Sequence, residues 1–288
     1  MAFPDNRSMR LARFYGNPDY ALDTISTKTL SFVHVTKLND PFDPYFFFET
    51  DFGERYDLIL DYVSKGLSNK FSWFIENIPP ELWTKILSDI GTYLQAQRQS
   101  TFMLSFIEAE RGRHPKDNLL MWAHYGNGHR GVLIEFDTEL LRASAIAAND
   151  TALRPVYDPN EALMKVVYRK ALRPIGIDEV VEFYLQSNNG NPSHTRLIQY
   201  LRDTIATKSE EWAYENEWRM LWRNDETSAS IQRMRLLDES IVCVYIGMSA
   251  SRDFRRDVIS KTHLTFPKAK VVIAEKSHGE FALKFRDA

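Results

Sequence analysis

The 288 residues carry a single cysteine, no apolar run long enough to cross a membrane and no glycine-rich phosphate loop. Each shortage closes a class of explanation. One thiol cannot form an internal disulfide. Cys243 sits within Ile241-Val242-Cys243-Val244-Tyr245-Ile246, where a buried strand thiol is expected rather than a nucleophile. The N-terminal Met1-Ala2-Phe3-Pro4-Asp5 lacks a signal-peptide core, so a soluble, cytoplasmic protein with no membrane partner is expected. Neither a Walker loop, a Gly-x-Gly-x-x-Gly turn nor a Gly-x-Ser-x-Gly elbow is present. His124 and His129 are separated by Gly126 and Gly128 with no cysteine nearby, so no metal is expected. A formal charge of −3 argues against a protein that wraps nucleic acid.

Aromatic residues are plentiful. Eighteen Phe, thirteen Tyr and six Trp, in a chain that is 44% apolar, suffice for a substantial core. Repeats, linkers and low-complexity tracts are absent, so a single domain over 1–288 is expected, with a helical insertion at about 54–99. In that insertion Leu58, Ile59, Tyr62 and Val63 share a face, as do Phe71, Phe74 and Ile75. Leu82, Trp83, Ile86, Leu87, Ile90 and Leu94 form the longest stripe, after Pro79-Pro80. Strands are predicted at Met9–Tyr15, Leu30–Val35, Thr101–Phe106, Val132–Phe136, Ala152–Tyr157, Lys165–Tyr168, Trp218–Arg223, Ile241–Met248 and Ala269–Ala274. Helices are predicted near Tyr20–Ser26, Leu119–Tyr125, Leu197–Ile205 and Ser251–Thr262. Dense strands with clustered helices indicate an α+β fold whose split sheet is largely antiparallel.

Glu215-Asn216-Glu217-Trp218-Arg219 is the most informative stretch. On an extended lead-in, a period of two places Glu215 and Glu217 on one side, where their repulsion calls for a cation. Arg219 or the positive centre of a substrate can supply it. Solvated carboxylates at a strand start are the plainer reading. Met121-Trp122-Ala123-His124-Tyr125-Gly126 gathers Trp, His and Tyr within one helical turn, with Trp122 and Tyr125 on a packing face and His124 elsewhere. Arg13, in Arg13-Phe14-Tyr15, is either a surface cation or a bidentate phosphate grip. The turn Asn39-Asp40-Pro41-Phe42-Asp43-Pro44 uses its polar side chains first on its own amides.

Taken in order, these blocks carry a resemblance. Arg13-Phe14-Tyr15, Asn39-Asp40-Pro41-Phe42-Asp43, Ser105-Phe106, Leu120–Tyr125, His129-x-Gly131-Val132 and Lys208…Trp212-x-Tyr214-Glu215-x-Glu217-Trp218-Arg219 resemble the bacterial family called domain of unknown function 2971, over roughly Arg13 to Arg219. The order of elements is also similar to ADP-ribosyltransferases of the arginine–serine–glutamate type. That resemblance implies an ADP-ribosyltransferase-like fold and an enzyme that uses NAD as substrate, acting on a protein or nucleic-acid acceptor in bacterial defence or conflict. Arg13, beside Tyr15, would hold NAD phosphate, and Ser105 would be the middle-strand serine, although the usual Ser-Thr-Ser is here Leu104-Ser105-Phe106. Glu217 would bond the nicotinamide-ribose hydroxyl and stabilise an oxocarbenium-like transition state, while Glu215 orients the acceptor. Tyr125 or Phe106 would stack on nicotinamide, with His34, His124 and Arg219 as further NAD contacts. Two other readings stand beside it. One is a non-enzymatic module sensing a nucleotide or a protein; the other is a metal-dependent nuclease built on Asp40, Asp43 and Glu217.

Overall fold

A computed structural model describes residues 9–38, 40, 42–47, 72–109, 114–149, 163–188, 196–223 and 231–288. The chain packs as two compact units. The first comprises Met1–His34, Phe102–Val166 and Ala213–Ala288, the second Val35–Thr101 and Val167–Trp212.

Unit 1 is built on a ten-stranded, largely antiparallel sheet. Its strands are β1 (Arg10–Tyr15), β2 (Thr29–His34), β3 (Thr101–Glu108), β4 (Val132–Asp137), β5 (Leu163–Lys165), β8 (Glu217–Arg223), β9 (Ile231–Arg235), β10 (Ile241–Ile246), β11 (Lys270–Lys276) and β12 (Leu283–Asp287). The order is β12-β11-β10-β4-β1-β3-β2-β9, with β8 joined to β3 and β5 to β8. β10 and β11 run parallel, and helix α8 (Arg252–Thr265) makes the long crossover that parallel pairing requires. β4 lies near the middle of this sheet. It lies between β1 and β10 over its whole length, and Val132, Leu133, Ile134 and Phe136 are inaccessible to solvent.

Strand alternation gives the sheet two different faces. Leu11, Phe32, Leu104, Phe106, Ile134, Met220 and Trp222 belong to the larger core, which also takes Ala21 and Ile25 of α1 (Pro18–Thr27) and Phe254 and Val258 of α8. Ala12, Phe14, Leu133 and Tyr245 face the other way, onto Met121 and Trp122 of α4 (Leu119–His124). Close backbone approach requires glycine where these strands end. A Cβ on Gly131 would stand 2.0 Å from the Tyr15 carbonyl oxygen, and one on Gly247 2.2 Å from that of His129.

Unit 2 is mainly helical. Between α2 (Ser72–Asn77) and β3, helix α3 (Pro80–Ser100) buries Trp83, Ile86, Leu87, Ile90 and Leu94, the stripe its periodicity predicts. These pack with Val180 and Val181 of α6 (Ile177–Asn188) and with Leu197 and Tyr200 of α7 (Arg196–Ile205). Parallel strands β6 (Val167–Arg169) and β7 (Thr207–Ser209) complete it. The expected strand Lys165–Tyr168 is broken at Val166. Its amide bonds the Glu217 carbonyl at 2.9 Å, whereas the next amide bonds Ala206 at 2.7 Å. The expected strand at 152–157 and the faces of Leu58, Ile59, Tyr62, Val63, Phe71, Phe74 and Ile75 lie outside what is described. Helices α5 (Thr138–Asn149) and α6 and strands β9 and β12 were not predicted.

Candidate functional site

Helix α4 is short and firmly started. Asn118 caps it, its Oδ1 accepting from the amides of Leu120 at 3.0 Å and Met121 at 3.2 Å. Trp122 anchors the far side, donating from Nε1 to the Lys116 carbonyl at 2.8 Å and meeting Phe14 edge-on at 4.9 Å. His124 and Tyr125 are thereby held at the helix end. His124 Nδ1 lies 3.2 Å from the Tyr214 hydroxyl, and the Tyr125 hydroxyl donates to Glu215 Oε1. Burial, with the hydrogen bond to Glu215 and the charges of Glu215, Tyr214 and Glu217, pushes the Tyr125 phenol far above its usual range. It stays a neutral donor.

The two glutamates do not share an extended lead-in. Glu215 closes the 3-10 turn Glu210–Glu215, Asn216 adopts a left-handed conformation at φ +45°, and Glu217 opens β8. Period-two geometry therefore begins only at Glu217. It pairs Glu217 with Arg219 on one face, where Nε to Oε1 is 3.0 Å and Nη2 to Oε2 is 3.3 Å. Glu217 is 4% exposed and Arg219 0%. The expected cation beside Glu217 is thus Arg219 itself, in a buried bidentate pair.

Six of the nine predicted site residues fall on the α4 side of the sheet. Glu217 and Arg219 alternate with Trp218, Met220 and Trp222, which pack with the larger core, so they face α4. Ser105 alternates with Leu104 and Phe106 and likewise faces α4, where Glu215, His124 and Tyr125 also lie. Arg13, Tyr15 and His34 do not join them. Arg13 alternates with Ala12 and Phe14, so its side chain leaves from the opposite face. There its Nη1 donates to the Ser105 carbonyl at 2.7 Å and its guanidinium lies 5.5 Å from the Tyr15 ring centre. Tyr15 is buried among Ala21, Ile25 and Leu30, and burial raises its phenol pKa. His34 packs edge-on to Phe102 at 5.0 Å. Phe106 is fully buried against Phe136 and presents no stacking surface.

Beside the Asn216 turn, within unit 1, lies a cavity of about 570 Å3. Its apolar wall is Ile107, Pro115, Met121 and Ala213; its polar wall is His114, Asp117, Asn118, Lys165, Tyr214 and Asn216. The charges here are balanced. Lys165 Nζ is 2.7 Å from Glu108 Oε2, and Asp117 Oδ2 is 2.7 Å from Lys116 Nζ. Glu108 also accepts from Trp218 Nε1 at 3.0 Å, which ties β3 to β8 and β5. None of the nine predicted residues lines this cavity.

A second polar cluster escaped sequence reasoning. Glu135 projects from β4 toward α4, and its Oε2 accepts from the Tyr245 hydroxyl at 2.8 Å and lies 3.2 Å from His114 Nε2. Burial raises the carboxyl, but the bonds from His114 and Tyr245 and the charges of His114 and Arg10 outweigh it and hold Glu135 below the usual range. Neighbouring Cys243 is pushed up by burial to about 11, which makes it an inert thiol at neutral pH. One signal was available: a glutamate inside the otherwise apolar Val132-Leu133-Ile134-Glu135-Phe136.

Among the described residues, no group of three or more His, Cys, Asp or Glu is placed to hold a metal ion, and no helix is long and apolar enough to cross a membrane. Asp40 caps its own turn, Oδ1 accepting from the Phe42 amide at 2.9 Å. A family model described as "Protein of unknown function (DUF2971)" matches residues 121–220, from Met121 of α4 to Met220 of β8, and supports the resemblance to that family. No curated protein and no solved structure matches the chain.

Proposed function

We propose that unit 1 is a recognition module for a small, uncharged, polar ring compound of the nucleobase or nucleoside class. The observation that carries this reading is the cavity beside Asn216. Its volume of about 570 Å3 falls within the range of roughly 300–1,000 Å3 common to small-molecule sites. Tyr214, Ile107 and Met121 offer the flat and apolar surface that a heterocycle needs, and the carboxamides of Asn118 and Asn216 offer polar groups for its edge. The balance of charge favours a neutral ligand. Lys165 already has a carboxylate at 2.7 Å and Asp117 lies in the same wall, so a polyphosphate would meet as much repulsion as attraction.

NAD-dependent ADP-ribosyl transfer is the second reading. It is favoured by the gathering of Ser105, Tyr125, Glu215 and Glu217 on one face, with the Tyr125 phenol feeling both carboxylates. Against it stand Arg13 on the other face and Glu217 held in its pair with Arg219. Calorimetric titration with nucleosides, nucleoside diphosphates and NAD separates the two. The recognition reading expects saturable binding of at least one nucleoside, weaker binding of its diphosphate, and loss of the signal in Tyr214→Ala. Release of nicotinamide from NAD, abolished by Glu217→Gln, together with ADP-ribose bonded to an acceptor, would establish the transferase instead. If no nucleoside binds, the recognition reading fails.

A further inference from the structure

His114 is a cavity residue whose ring is fixed from both ends. It precedes the 3-10 turn Pro115–Asp117, and its Nδ1 accepts from the Lys116 amide at 3.1 Å. An Nδ1 that accepts carries no proton, so in the neutral ring the proton sits on Nε2. That nitrogen lies 3.2 Å from Glu135 Oε2, with Glu135 only 9% exposed. The Tyr245 hydroxyl, 3.4 Å from the same ring nitrogen, donates to that same oxygen at 2.8 Å. Phe285 of β12 packs edge-on to Tyr245 at 5.5 Å. The other charged or titratable groups acting on this carboxylate are Arg10 of β1, itself paired with Asp137, and Cys243 of β10.

The geometry points to Glu135 as a positioning residue for the cavity: acting through His114, and together with the Lys116 amide on the other ring nitrogen, it fixes the tautomer and orientation of the imidazole that a ligand meets. The same bond set reaches further along the wall. The Lys116 amide held by His114 belongs to the turn that carries Pro115 and Asp117 and delivers Asn118 to the cap of α4. Releasing His114 therefore frees the ring and loosens residues 115–118, of which Pro115, Asp117 and Asn118 line the cavity. This inference rests on the cavity being a ligand site, and it identifies which buried group sets that site's selectivity.

Nitrogen-15 spectra of the histidine rings, together with nucleoside titration, test it. In the wild-type free protein, the neutral His114 ring is expected as a single Nε2–H tautomer. Glu135→Gln, with its carboxamide oxygen at the Oε2 position, keeps an acceptor for both Nε2–H and the Tyr245 hydroxyl, so tautomer and affinity should both be retained. Glu135→Leu leaves Nε2–H only the more distant Tyr245 hydroxyl, at 3.4 Å, as an acceptor; mixed tautomers and a loss of about tenfold in affinity are expected. A wild-type ring that exchanges between tautomers overturns the proposal without any variant. So does a Glu135→Leu protein that binds as wild type does, or a Glu135→Gln protein that loses affinity as Glu135→Leu does. A fixed tautomer in a protein that binds no nucleoside defeats the recognition reading and leaves Glu135 a structural group, an outcome distinct from binding that ignores the tautomer.

Discussion

Two charges sealed inside a protein attract strongly but each has given up its water, so a buried pair contributes little net stability while either partner alone is costly. Glu217 and Arg219 are such a pair. Arg219→Leu should lower the unfolding free energy by about 3–5 kcal/mol in urea titration, and Glu217→Leu combined with Arg219→Leu should recover most of that loss. Glu135 yields a pH effect. Its folded pKa lies below the unfolded value near 4.5, so its contribution is complete above that value and disappears as pH falls through the folded one. The stability gap between wild type and Glu135→Gln should therefore shrink as pH falls below about 4.5, read from urea midpoints across pH. At this scale the sequence revealed residue types but not partners. Glu215, Glu217 and Tyr125 could be singled out locally, whereas Glu135, His114 and Tyr245 meet across 21 and 110 positions of chain. Arg13 and Ser105 show the opposite failure. Their strands are neighbours, yet opposite pleats send the side chains apart, and sequence order alone cannot show the register that decides this.

At the scale of elements, local signals were readable wherever a cap or a long period existed. The α3 stripe and the Asn118 cap are both visible in the sequence, and both are in place. Helix α5 had a comparable signal that was overlooked: Asp137 Oδ1 accepts from the amides of Glu139 at 3.0 Å and Leu140 at 3.1 Å. Strands β5, β6 and β7 span three residues each, too short for alternation to register, and β9 alternates with charged residues that resemble a loop. Asn118 belongs to two elements at once, as the cap of α4 and as a cavity wall. Asn118→Asp keeps the capping oxygen and places a second carboxylate beside Asp117; Asn118→Ala removes both functions. Thermal unfolding should show a loss of about 1 kcal/mol for Asn118→Ala and little change for Asn118→Asp, while nucleoside binding should weaken in both.

For the whole molecule, the α+β class and the largely antiparallel sheet could be read from the density of strands, since hydrophobic alternation is a local property. The division into two units could not. Each is assembled from separated stretches of chain, and no change of composition marks the crossings at His34, Thr101, Val166 and Trp212. The position of β4 has a consequence in time. On the ribosome β4 emerges more than a hundred residues before β10, which must cover its second edge. Throughout that interval a nascent chain carries an uncovered strand edge along Val132, Leu133, Ile134 and Phe136, so mispairing with another chain is open to it until β10 is made.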